Sequence, residues 1–448
     1  MAGEKESYSY YAPRFGMKGE ASPLNYPGNR QAAATFVTSN GLAYVFGGSG
    51  HDYKASLGFL NDLWVWDGEN WTWLGGSKDL KSPPYFGEIG IASESNLPPG
   101  RYDAMIWAND IGNVWLFGGQ GRDETSSNGF FNDLWKWDGS NWTWLSGGSD
   151  LDQSGLYSGE NSHFPGARIN SIVWIDSDGA LWLFGGFGRD ANGTEGYLND
   201  LWKWDGNDWI WMDGSDEVGQ VGVYGQVEVA NADNYPGARA YAASRKDSDG
   251  NVWVFGGVGF HESGFGQLND LWMWDGSNWV WKSGSKVGNA LSTYGTIFEP
   301  SASNSPSGRH GSALGIDVDG GILMFGGTGK DEAGSSGYLR DIWKWDENGW
   351  AWQGGEKLRN LPGNYIQKGE STATGAPGAR ALASTWFDET GRLFIYGGNG
   401  YSNTSETHWL NDFWSWEDSE WTWRGGFPTL VKSGNFGTEG AATPGAFP

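Results

Sequence analysis

Residues 180–212 read ALWLFGGFGRDANGTEGYLNDLWKWDGNDWIWM. An apolar run at 181–184 stops at the glycine pair Gly185-Gly186. A polar stretch follows, then Leu-Asn-Asp-Leu-Trp-Lys-Trp, and, past Asp-Gly, Trp-Ile-Trp. Residues two apart in a strand share a face. Trp202 and Trp204 therefore point one way while Leu201 and Lys203 point the other, and Trp209 and Trp211 form a second such pair. Upstream, Arg168-Ile-Asn-Ser-Ile-Val-Trp reads as a first strand, and the Asp-Ser-Asp-Gly turn at 176–179 joins it to the run that ends at the glycines. The segment thus codes for four short strands.

The same unit occurs six times. The glycine pairs lie in AYVFGGSG, VWLFGGQG, LWLFGGFG, VWVFGGVG, ILMFGGTG and LFIYGGNG, and each is preceded by a Pro-Gly-x-Arg-like signal that ends in Arg30, Arg101, Arg168, Arg239, Arg309 or Arg380. The period is about 70 residues, too long for a short solenoid and suited to a propeller blade. The 75 glycines supply turns and the 31 tryptophans all fall inside the six units. A four-stranded sheet alone cannot bury two aromatic faces, whereas sheets stacked about an axis can. The expected fold is therefore an all-β, six-bladed β-propeller with four antiparallel strands per blade. Blades are expected at 27–77, 99–149, 165–215, 236–285, 306–355 and 377–426 of a single 448-residue domain. Because the tryptophans recur in register, they read as inter-blade core and not as a sugar-stacking platform.

The double glycine, the aromatic pair after Asn-Asp and the tryptophans of the last strand resemble the kelch repeat, over about nine-tenths of the chain. The resemblance implies that the loops joining strands two and three and the connections between blades meet on one face, the usual partner or ligand site of that family. It also extends distantly to the central domain of galactose oxidase and to the kelch-type sialic acid mutarotase. The chain has no cysteine. That excludes disulfides, thiolate metal sites and the tyrosine–cysteine cofactor of the copper radical oxidases. The Glu-x-x-x-Asp-x-x-x-His pattern of the iron-binding specifier proteins is missing around all five histidines. No cofactor and no metal is expected. The Asp-x-Asp-Gly turns at 176–179, 247–250 and 317–320 read as hairpin turns, since a calcium loop needs further oxygens and a distal Glu.

Connections of about 20 residues join successive blades, long for a compact domain. They repeat an aromatic-Gly start and a Pro-Gly-x-Arg end, as in YFGEIGIASESNLPPGR and VYGQVEVANADNYPGAR, and so read as ordered straps. A ring of six needs six straps, yet residues 1–26 and 427–448 bring the number to seven. The surplus strap either closes the ring as a clasp or docks elsewhere.

The net charge of −25 argues against nucleic acid as a partner. No apolar run reaches the roughly 20 residues that a spanning helix needs. The chain reads as cytoplasmic, or as secreted with its signal removed. The expected ligand site is the strap face. Six strand-leading arginines (Arg30, Arg101, Arg168, Arg239, Arg309 and Arg380) suit an acidic ligand there, and equally suit strap carbonyls and carboxylates. Arg122, Arg189 and Lys330 add positive charge in the loops. Departures from the repeat mark His51, Phe260, His261, Tyr401, His408 and Trp409 as further candidates, because a ligand touches only some blades. The expected function is a non-catalytic binding or scaffold propeller for a protein or glycan. The alternative is a carbohydrate-active enzyme, an epimerase, mutarotase or lyase, with an arginine-lined centre. It would take its acid or base from Glu20, Glu88, Glu228, Glu370 or a histidine.

Overall fold

The computed structural model describes residues 13–426, apart from 29, 39, 81–82, 110, 123–126, 159–162 and 389–390. The second terminal strap of the sequence reading, 427–448, lies outside the described residues. So does the start of the first. Among the described residues every regular element is a β-strand, and no helix is long and apolar enough to cross a membrane. The strands fall into two compact units, one up to Val218 and one from Gly219.

The third repeat, in the first unit, shows the plan. Arg168–Ile169 and Ile172–Ile175 pair with Leu181–Arg189, which pairs with Glu195–Trp204, which pairs with Trp209–Asp213, all antiparallel. The glycine pair is required where the register shifts between Phe184 and Gly186. Gly186 has φ 103°, and a Cβ there would lie 2.4 Å from Ser171 Oγ and 2.7 Å from the Ile169 carbonyl. No side chain fits, and the bulge kinks the strand. The first, fourth and fifth repeats use the same order within one sheet. In the second and sixth repeats the sheet is interrupted at the glycine pair, so inner and outer halves are separate sheets. Repeated antiparallel four-stranded sheets of this kind are the strand organisation of a β-propeller.

Within each unit the sheets are cemented face to face by the recurrent aromatics. In the first unit Phe46 and Leu63 of repeat one pack with Leu116, Trp135 and Trp142 of repeat two. Met105, Trp107 and Phe117 of repeat two pack in turn with Leu183, Trp202 and Trp209 of repeat three. The Trp107 indole also donates to the Trp174 carbonyl, 3.1 Å away in repeat three. In the second unit Phe255 and Leu271 meet Met324 and Trp343, and Phe325 and Ile342 meet Ile395 and Trp414. The tryptophans are therefore core between sheets.

Each strap lies on the repeat that follows it. Its leading aromatic sits against two tryptophans of that repeat's third and fourth strands: Phe15 against Trp64 and Trp73, both at 5.1 Å between ring centres, and Tyr224 against Trp272 and Trp281 at 5.1 and 5.3 Å. Further along, strap amides bond the fourth strand, as Gly19 N does to the Trp73 carbonyl at 2.9 Å and Gly90 N to Trp144 at 2.8 Å. The straps are ordered and supply an extra edge to the outermost strand.

Candidate functional site

The six strand-leading arginines are consumed by one repeated device. Each guanidinium forks onto the Asp of the Asn-Asp pair: Arg30 onto Asp62, Arg101 onto Asp133, Arg168 onto Asp200, Arg239 onto Asp270, Arg309 onto Asp341 and Arg380 onto Asp412. All the bonds are between 2.5 and 2.9 Å. Nη1 also donates to the first carbonyl of the glycine pair and Nε to a carbonyl two residues upstream. The pairs are buried. Each carboxylate also accepts from the indole two residues on, at 2.6 to 2.8 Å. In repeats three to six it accepts a strap tyrosine as well: Tyr157, Tyr224, Tyr294 or Tyr365. A buried charge persists only when so satisfied. Burial alone would raise Asp270; the Arg239 charge and the bonds from Arg239, Trp272 and Tyr224 outweigh it and hold the carboxyl below its ordinary range. The arginines are thus fully bonded inside the repeats.

The residues that follow the arginines differ between repeats. Two positions on, the first strand is broken by positive φ: Ala32, Asp103 and Asn170 in the first unit, and Tyr241, Gly311 and Leu382 in the second. These residues stitch neighbouring first strands together. Asp103 N donates to Ala32 O at 2.9 Å, Gly311 N to Tyr241 O at 3.1 Å and Leu382 N to Gly311 O at 2.8 Å. Left-handed backbone is tolerable for Asp and Asn and strained for Tyr and Leu, and strain of this sort concentrates where function needs it.

In the first unit this break creates a mixed cluster. Burial pushes the half-buried Asp103 carboxyl up, while the Asn170 side-chain amide facing it pulls the other way. Beside it Tyr102 donates its hydroxyl to Gln120 Oε1 at 2.5 Å, and its ring lies 5.2 Å from Phe59. Arg122 covers Phe59 at 5.4 Å and is itself held by Asn128 Oδ1 at 2.8 Å. Tyr102 thus links two groups: the Phe59 ring with the Gln120 amide and the Arg122 cation on one side, and the Asp103 carboxyl with the Asn170 amide next to it.

The second unit has its own cluster. Gln267 stands where repeats one, three and five carry Phe59, Tyr197 and Tyr338. Its Nε2 donates to the Thr328 carbonyl at 3.2 Å and lies 3.3 Å from His310 Nδ1. With that amide nitrogen fixed as a donor, His310 Nδ1 accepts, and the neutral ring carries its proton on Nε2. Burial lowers the His310 pKa and favours this neutral form. Tyr241, 36% exposed, lies edge-on to His310 at 6.2 Å. Tyr338 donates to Asn399 Oδ1 at 2.8 Å and its ring approaches Tyr401 at 6.1 Å.

Of the residues singled out in the loops, Arg122 and Tyr401 join these clusters. Arg189 is paired to Glu195 at 2.9 Å and Asp152 at 3.4 Å. His261 is buried, with Ser263 N donating to its Nδ1 at 3.2 Å. His51 ends the second strand of repeat one and Lys330 that of repeat five. Phe260 packs on Phe265, His408 lies 3.6 Å from Glu406, and Trp409 is 61% exposed. Glu20, Glu88, Glu228 and Glu370 lie in strap turns that cross the fourth strand, and the structure does not bring them to either cluster. The Asp-x-Asp-Gly turns are closed by their own carboxylates, with Asp176 Oδ1 accepting from Asp178 N and Ala180 N. Asp103, Asn170 and Gln267 are not among the candidates that the sequence suggests, and His310 is covered there only as one of the histidines that could serve as acid or base. The available signal was departure from the repeat, just after the arginine for Asp103, Asn170 and His310 and two residues before Asn-Asp for Gln267.

No protein-family model matches the chain, and no curated protein does. Among solved structures it is similar to that of YjhT, with a TM-score of 0.51 and 15% identity, over 92% of this chain and 99% of that one. It is also similar, with a TM-score of 0.44 and 14% identity over 89% of this chain and 65% of that one, to a fungal alcohol oxidase of the AA5 family in complex with copper. The first likeness is one of fold.

Proposed function

We propose that the six repeats close into one six-bladed kelch-type propeller and that this propeller is a glycan-binding module. The cluster around Asp103 carries the reading. An aromatic pair, Phe59 and Tyr102, stands beside a carboxyl, the Gln120 and Asn170 amides and the Arg122 guanidinium. Sugars present C–H faces that suit aromatic rings and hydroxyls that need several short polar partners. The arginines of the repeats are not part of the proposed site, because their donors are occupied. The acidic surface keeps nucleic acid away and leaves neutral glycans as the favoured partner.

A glycan array followed by calorimetry on the intact protein tests this. Asp103→Asn keeps a residue that tolerates positive φ and removes the charge. It is expected to weaken binding about tenfold, as loss of a charged hydrogen bond does, without changing the melting temperature. An array without hits, or affinity indifferent to both Asp103→Asn and Tyr102→Ala, rejects the reading.

The second reading is an enzyme acting on carbohydrate, favoured in the first unit by the Asp103 carboxyl, which burial raises and which lies next to Tyr102. Turnover of a bound sugar, followed by NMR and abolished by Asp103→Asn with binding retained, decides for it.

A further inference from the structure

The rule that a strap adds an edge to the fourth strand has an exception in repeat three. In the other five repeats a strap amide bonds the carbonyl of the strand's second tryptophan: Gly19 to Trp73, Gly90 to Trp144, Glu228 to Trp281, Phe298 to Trp352 and Gly369 to Trp423, at 2.8 or 2.9 Å. In four of them an asparagine, Asn25, Asn96, Asn234 or Asn304, also bonds the carbonyl of the first tryptophan at 2.8 to 3.2 Å. The strap of repeat three is shorter. Its bridge joins Leu156 to Phe164, eight positions apart, where the strap before it joins Tyr85 to Leu97, twelve apart. His163 stands where those four straps carry the asparagine. Among the described residues no strap group bonds the carbonyl of Trp209 or Trp211.

The strand Trp209–Asp213 is therefore an open edge. Backbone bonds alternate along an antiparallel pair. Ile210 pairs with Lys203, so the N–H and C=O groups of Trp209 and Trp211 face outward, as those of their strapped counterparts do. Ile210 is 40% exposed, whereas the residues in its place elsewhere, Thr72, Thr143, Val280, Ala351 and Thr422, are 4 to 8% exposed. Met212, on the same face, is 45% exposed. An edge left open beside apolar side chains is a template for an added strand. Charge distinguishes this repeat too. In repeats one, four and five a lysine, Lys78, Lys286 or Lys357, lies 4.5 to 5.9 Å from the rings of the strap aromatic and the second tryptophan. Asp216 holds that position in repeat three: its carbonyl accepts from Ala191 N at 3.0 Å, as that of Lys78 does from Tyr53 N at 3.2 Å. The Tyr157–Trp211 ring pair thus has an acid where a cation serves elsewhere. Asp208 and Asp213 add negative charge at the two ends of the strand, and Lys203 beside it is held by Asp176 at 3.2 Å.

We propose that this edge takes an extended basic segment of a partner protein as a further strand. The segment's amides donate to the Trp209 and Trp211 carbonyls, its apolar side chains cover Ile210 and Met212, and a lysine or arginine beside Asp216 supplies the cation over Tyr157 and Trp211. A second copy of this chain is the poorer occupant, because two such edges would set Asp208, Asp213 and Asp216 against their own kind. The edge shares no residue with the cluster at Asp103, and it depends neither on glycan binding nor on closure of the ring.

The probe is a blocked peptide of about eight residues alternating valine with lysine, long enough to span the strand, titrated into the full chain by calorimetry. Two control peptides carry glutamate for lysine, or N-methyl groups along the pairing edge. The lysine peptide is expected to bind saturably and one to one, the controls not at all, and residues 209–213 to gain protection from hydrogen exchange. Asp216→Lys, which restores the lysine of the other repeats, is expected to weaken binding about tenfold or more. Ile210→Thr, which copies Thr72 and Thr143, is expected to weaken it severalfold. Asp249→Lys makes the same charge change in a hairpin turn of repeat four and is expected to leave binding unaltered. Absence of binding, equal binding of the N-methylated peptide, or affinity indifferent to Asp216→Lys and Ile210→Thr overturns the proposal. A concentration-dependent dimer in sedimentation that the lysine peptide breaks assigns the edge to a second copy and overturns it as well.

Discussion

The strap tyrosines set a second pH limit on the fold. Tyr157, Tyr224, Tyr294 and Tyr365 each donate to a carboxylate already shared by an arginine and an indole. Burial, and then the adjacent carboxylate charge, push their pKa values up. A tyrosine whose folded value lies above its unfolded one, near 10, stabilises in full below about pH 10 and loses that contribution as pH climbs past it. Repeats one and two show the alternative, because Phe15 and Phe86 fill the same place with no hydroxyl. Replacing all four tyrosines by phenylalanine is therefore expected to cost about 1 kcal/mol per site at neutral pH and to move alkaline unfolding to higher pH. Circular dichroism against pH checks it, and an unchanged alkaline midpoint contradicts the role given to the hydroxyls. Asp270 sets the acid limit with the opposite sign. Its lowered pKa means stability present above the ordinary carboxylate range and lost as pH falls through the depressed value.

At the scale of the element, the strand carrying Trp-x-Trp is where sheets are joined. Trp137 closes the third strand of repeat two, is 2% exposed and lies in the cluster that binds repeats one and two together, 5.5 Å from Trp142. Trp137→Ala is expected to cost about 3–5 kcal/mol, as for a buried aromatic, measured by denaturant unfolding. A loss under roughly 1 kcal/mol, typical of surface changes, contradicts its place in the core. The role of this tryptophan is legible in the sequence because six copies in register leave no other use for so much aromatic surface. The partner of each arginine is not legible in the same way. Arg168 and Asp200 are 32 positions apart and meet only because the first and third strands flank the glycine bulge. Asn-Asp reads as a landmark of the repeat until that meeting is seen. Asp103 and His310 were hidden for a related reason. The departures from the repeat that stand out in the sequence lie in the loops between strands two and three, whereas the break that presents these side chains lies just after the arginine, where the positive φ has no sequence signature at Tyr241 or Leu382.

For the whole molecule, stability follows from sheets that are sandwiched. Repeat two buries Leu116, Trp135 and Trp142 against repeat one, and Met105, Trp107, Phe117 and Leu134 against repeat three. Removing repeat three would lay the second group bare, and Trp107 would also lose its bond to the Trp174 carbonyl. No strand of repeat two comes from elsewhere in the chain to compensate, since each sheet is built from contiguous sequence. Repeat arrays in an open line tolerate such loss, because stability there is a sum of local terms and the ends are capped. A closed propeller, as proposed for this chain, would not, because every sheet would need two neighbours. Deleting residues 150–216 is therefore expected to yield a chain that does not fold, while the intact protein melts in one transition with equal calorimetric and van't Hoff enthalpies. Both are measured by scanning calorimetry and near-ultraviolet circular dichroism of the tryptophans. A folded five-repeat protein, or two resolved transitions in the intact chain, one for each of its compact units, would show that the units are separate folding bodies and that six repeats do not make one domain.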